Sequence, residues 1–205
     1  MSLPSSNRGW MRVAFAAGVC LTPMSAHAHL VQTGFGTFYD GMVHLMLTPA
    51  DLLAVLGFGL LAGSGGAAAS RGVLLALPGA WLIGGLIGVS SSSVYSLSWA
   101  TTLSFGLVGL LVAMNAKLPR LWIVGFAGVA GLLHGYTDGA TMATDVADWL
   151  SLTGITTMVF VLVTLLTALV VGLRADWARV AVRVAGSWIV AIGLLTLGWL
   201  MRGQG

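Results

Sequence analysis

Residues 152–173 read LTGITTMVFVLVTLLTALVVGL, an unbroken apolar run with no charged side chain. A hydrocarbon core ~30 Å thick is crossed by about 20 such residues in a helix, so this stretch is long enough to span. Five more candidates lie at 49–69, 72–92, 97–114, 121–134 and 180–201, the fourth of them short and extendable through Tyr136. All are read as helices, because lipid offers no partner for the backbone groups of an open strand. The expected fold is all-α: a polytopic membrane protein of about six transmembrane helices.

Composition agrees. Hydrophobic residues are 58% of the 205 and charged residues 7%, and mean hydropathy is +0.97. Soluble domains carry roughly 25% charged residues to wet their surface, so this chain is expected to face lipid as one domain. Its net charge of +3 comes from nine scattered Lys and Arg, which form no footprint for nucleic acid.

The N-terminus reads as a targeting segment. Arg8 and Arg12 precede the short apolar stretch 13–21, Pro23 breaks it, and Ala26-His27-Ala28 supplies a small-x-small cleavage pattern. Residues 1–28 are therefore expected to be a removed signal peptide and 29–205 the transmembrane domain, with His29 at the new N-terminus. There its amine and ring nitrogen could chelate a metal. An uncleaved anchor is the other reading. The sole cysteine, Cys20, lies in the removed part, so no disulfide is expected.

Loop charge sets the expected orientation. Arg71, then Lys117 and Arg120, then Arg174, Arg179 and Arg183 mark the odd loops, whereas the fourth loop carries Asp138, Asp145 and Asp148 and no base. Positive loops stay cytoplasmic, which puts both mature termini outside a bacterial inner membrane. Trp99, Trp149 and Trp199 then belong to the outer aromatic belt, and Trp122 and Trp177 to the inner one. Gly84, Gly85, Gly88, Gly125, Gly128 and Gly131 are expected on faces where helices approach closely.

The polar census is short. His29, His44, His134 and every acid except Asp176 fall on the outer side. Asp40 and His44 are four apart, as are His134 and Asp138, a spacing that puts each pair on one helical face. Imidazole with carboxylate suits first-row divalent ions. Alternatively, each histidine is a polar group in the headgroup zone, and the aspartates of the fourth loop are solvated. For Asp51 a capping reading weighs more than a ligand reading: Thr48-Pro49-Ala50-Asp51 places an N-cap, a proline at N1 and an acid at N3. If a helix starts there, Asp40 and His44 sit on a separate segment too short to span, re-entrant or interfacial. Broken helices are tolerated where they line a cavity, where transporters place their sites.

These residues carry a resemblance. Phe38-Tyr39-Asp40-Gly41, His44 and Leu47-Thr48-Pro49, followed by Leu132-Leu133-His134-Gly135-Tyr136-Thr137-Asp138-Gly139, resemble the HupE/UreJ family of nickel/cobalt permeases, closer to its divergent second branch. The resemblance runs from His29 to the C-terminus. Better-known members carry H-P-x-x-G-x-D-H and H-G-x-A-H-G-x-E. Here His44 matches the first histidine and the final D-H falls on Ala50-Asp51. His134 and Gly135 match the second motif, Asp138 stands for its second histidine and Thr141 for its glutamate.

The resemblance implies a secondary permease, not an enzyme, taking up a divalent ion, nickel or cobalt, through Asp40, His44, His134 and Asp138, with His29 and Asp51 as further candidates. No resident cofactor is expected, only the transported or bound ion. The expected partners are the lipid bilayer and that ion, and a homo-oligomer or metalloenzyme-maturation partner stays open. Two other classes are weighed. One is an accessory or sensor membrane protein that binds metal without moving it. The other is an intramembrane serine hydrolase, disfavoured because Gly63-Ser64-Gly65 would lie across the bilayer from His134 and no motif surrounds Ser90 to Ser93.

Overall fold

The computed structural model describes residues 33–91, 97–142 and 149–202; the expected signal peptide and His29 lie outside them. Within the described residues the regular elements are all helices: α1 Thr37–Leu47, α2 Pro49–Ser64, α3 Ala67–Val89, α4 Ser98–Ala113, α5 Arg120–Met142, α6 Trp149–Gly172 and α7 Asp176–Arg202. The chain is an all-α polytopic membrane protein. Taken singly, α3, α6 and α7 are long and apolar enough to cross a bilayer, and α1 with α2 meet the same requirement as a pair bent by 78°. Of the remaining expected spans, α4 is apolar but only 16 residues long, and α5 carries Arg120, His134 and Asp138 along its length.

The bend follows from Thr48-Pro49. A residue before proline is biased away from the α region, and Thr48 is extended at φ −92°, ψ 100°. Proline without an N–H is tolerated at the first helical position, which is where Pro49 begins α2. At its other end α2 stops at Ser64, short of the expected residue 69, because the chain turns through Gly65 and Gly66, the latter at φ +89°. The α5 helix instead runs past His134 to Met142, so that His134 and Asp138 share one continuous helix.

The outer surface is lipid-like: Leu121, Leu195 and Trp199 are 81%, 76% and 79% exposed. Since lipid tails are as apolar as leucine, close packing rather than burial from water must hold the helices together. The most extensive helix contact is between α3 and α5. A Cβ on Gly131, Gly135 or Gly139 would overlap the carbonyls of Leu77, Trp81 and Gly85, and one on Gly84 or Gly88 would overlap those of Leu132 and Tyr136. Gly125 and Gly128, expected on the same kind of face, meet nothing within 4 Å and lie on the open side of α5. Elsewhere Gly41 and Gly154 join α1 to α6 backbone against backbone, and Gly109 and Gly186 join α4 to α7, where Gly109 also meets the Ile189 side chain.

Between these contacts Val55, Phe58, Phe105, Val108, Val159 and Val163 are buried in an apolar middle layer. A polar cavity lies beyond this layer where α1 meets α2.

Candidate metal centre

The cavity, of about 440 Å³, is lined by His44 and Thr48, Asp51 at the start of α2, Ser98, Thr101 and Thr102 at the start of α4, Thr137 and Asp138 on α5, and Thr196 on α7. Five helices thus pool their polar groups around one cavity. His44, Asp51 and Asp138 each offer one ligand atom, and these atoms lie within 4.8 Å of one another. His44 Nε2 is 3.7 Å from Asp138 Oδ1. The structure therefore joins the two sequence motifs in space.

Asp51 does not act as the capping box suggested. Thr48 makes no side-chain cap bond; its hydroxyl donates back to the His44 carbonyl at 3.0 Å. The Asp51 carboxylate turns inward instead, with Oδ1 2.6 Å from His134 Nδ1. The other ring nitrogen, Nε2, is 2.8 Å from Ser104 Oγ. His134 thus stands behind Asp51, fully buried, with both ring nitrogens engaged. Asp40 shares a helix with His44 as expected, yet its Oδ1 accepts from both the backbone N–H and the hydroxyl of Thr33 at 2.6 Å, and it is not part of the cluster. His29 lies outside the described residues.

Two groups escaped the sequence reading. Trp81 Nε1 donates to Asp138 Oδ2 at 2.8 Å from across the α3–α5 contact, and its ring lies 5.2 Å from that of His134. A signal was available: Trp81 sits in mid-span, away from the belts where Trp99, Trp122, Trp149, Trp177 and Trp199 fall. The threonines of the cavity were also missed. Thr101 and Thr102 donate to the Ser98 carbonyl at 3.1 and 2.6 Å, and Thr137 to the His134 carbonyl at 2.7 Å. Each hydroxyl proton goes to a carbonyl about one turn back, so what these side chains keep for a ligand is oxygen lone pairs.

The electrostatics are one-sided. Asp51 and Asp138 are 3% and 5% exposed, and no Lys or Arg is among the described residues lining the cavity. A buried carboxylate is costly unless paired, hydrogen-bonded or bound to a metal, and two side by side raise that cost. With one imidazole, two carboxylates and surrounding hydroxyl oxygens, the donor set is N and O without thiolate, which suits a first-row divalent ion. Ser104, His134 and Asp51 also fall in the order of a nucleophile, base and acid. The Ser104 hydroxyl, however, donates to the Thr101 carbonyl at 2.8 Å, and Ser104 is not among the residues lining the cavity.

Fold and site together define a polytopic helical membrane protein with a buried histidine–aspartate cluster at one end of its bundle. The HupE / UreJ protein family matches residues 17–196, so the chain belongs to that family. It is also 29% identical over 126 residues to Protein HupE of Rhizobium leguminosarum bv. viciae, a match covering 60% of this chain and 63% of that protein. No solved structure matches.

Proposed function

We propose that the protein is a secondary permease of the bacterial inner membrane that takes up a divalent transition-metal ion, nickel or cobalt, from the periplasm. The observation that carries this reading is the pair of buried carboxylates, Asp51 and Asp138, facing His44 with no basic side chain in the described lining. A 2+ ion is the counter-charge such a pair calls for. In this reading His44, Asp51 and Asp138 hold the ion, His134 orients Asp51, and the threonine oxygens replace part of the hydration shell. Asp40 belongs to the approach from outside, and His29 is kept as a further candidate ligand.

Loop charge supports the direction, since the cavity lies at the end away from Arg71, Lys117, Arg179 and Arg183. An inside-negative potential supplies about 2.3 kcal/mol per charge per 100 mV, roughly double for a 2+ ion. The buried apolar layer of Phe58, Phe105 and Val108 separates the site from the inner end, so passage requires a second conformation. The α1–α2 break is the natural place for movement, as in transporters whose sites sit at interrupted helices.

Cells carrying His44→Ala together with His134→Ala should lose protein-dependent nickel or cobalt accumulation while keeping the protein in the membrane. Unchanged accumulation at equal protein level would refute the site.

A further inference from the structure

Trp81 is the largest fully buried side chain among the described residues, and a buried indole N–H needs an acceptor. Any carbonyl could have met that need. The acceptor is instead Oδ2 of Asp138 at 2.8 Å, while Oδ1 of the same carboxylate is the atom 3.7 Å from His44 Nε2. The two oxygens are thus divided between a fixed donor on α3 and the cluster. His134 does the same at Asp51, where Nδ1 occupies Oδ1 at 2.6 Å.

The donor is not free to drift. A Cβ on Gly135 would overlap the Trp81 carbonyl and one on Gly139 that of Gly85, so the backbone of α5 is in contact with the backbone that carries the indole.

Resting on the ion-site reading above, we propose that Trp81 is a positioning and selectivity residue: by occupying Oδ2 it restricts Asp138 to one oxygen for the ion. A site of single-oxygen carboxylates favours small divalent ions with short bonds. Larger ions gain from two-oxygen carboxylates and higher coordination, as calcium does. Partners that orient a ligand in this way are worth about 10–100-fold in metal affinity.

The test is equilibrium titration of the purified full-length protein in detergent with Ni²⁺ and, separately, the larger Cd²⁺, for the native chain, Trp81→Phe and Trp81→Gln. In Trp81→Phe the ratio of Ni²⁺ to Cd²⁺ affinity should fall about 10-fold. In Trp81→Gln, which keeps an N–H donor, part of that loss should be recovered. A purely structural role would lower both affinities together and leave the ratio unchanged, and that result overturns the assignment. Should the variants fold poorly, the Trp81 indole N–H resonance of the native protein serves instead: it should move on addition of diamagnetic Zn²⁺, and an unmoved resonance under saturating Zn²⁺ counts against the role. A native protein that binds none of these ions would defeat the ion-site reading itself, whereas native binding with an unchanged ratio defeats the Trp81 assignment alone.

Discussion

Asp138→Asn and Asp51→Asn should each weaken divalent-metal binding by more than about 100-fold, since even the partners that orient metal ligands are worth 10–100-fold. Asparagine keeps the shape of the side chain and one carbonyl oxygen, so Asp138→Asn can retain an acceptor for Trp81 while removing half of the negative charge that the cluster of His44, Asp51 and Asp138 concentrates. Asp40→Asn should have a much smaller effect, because that carboxylate is occupied by Thr33. Titration of the purified variants with Ni²⁺ or Co²⁺ separates these outcomes. Equal losses at Asp40 and Asp138 would mean that the cavity cluster is not the binding unit.

Gly135→Val should prevent accumulation of folded protein. The position faces the carbonyl, carbon and Cα of Trp81, all backbone, so no side-chain rotation makes room. Overpacking of a rigid core costs ~1–3 kcal/mol, and displacement of backbone belongs at or above the top of that range. The damage also reaches the site, because α5 carries His134 and Asp138 and α3 carries Trp81. Gly125→Val, on the open side of the same helix, is the control and should be neutral. Expression level and monodispersity in detergent report both.

The contrast between those two glycines shows what was legible beforehand. Hydropathy marks where helices can run, but not which face of α5 meets a neighbour, and Gly125 and Gly135 look alike in a sequence. The break at Thr48-Pro49 was readable because proline geometry is local. His44, His134 and Asp138 were readable because polar residues are scarce in an apolar chain. Asp51 was weighed toward a capping role from four consecutive residues, whereas its partner is 83 positions away. Trp81, 57 positions from the carboxylate it bonds, was missed for the same reason. Pairings of that range depend on how helices are set against each other, and for Trp81 the glycine contacts of α3 with α5 set them.

In the proposed function the buried cluster serves the passage of an ion and not only its retention. The most direct measurement is flux into liposomes containing the purified protein, with Ni²⁺, Co²⁺, Zn²⁺, Cu²⁺ and Mn²⁺ each tested under an imposed inside-negative potential. Saturable, potential-dependent entry of Ni²⁺ or Co²⁺, abolished by Asp138→Asn, is the predicted result. Tight binding without entry in correctly oriented protein would contradict it and leave a metal-holding accessory protein in place of a permease.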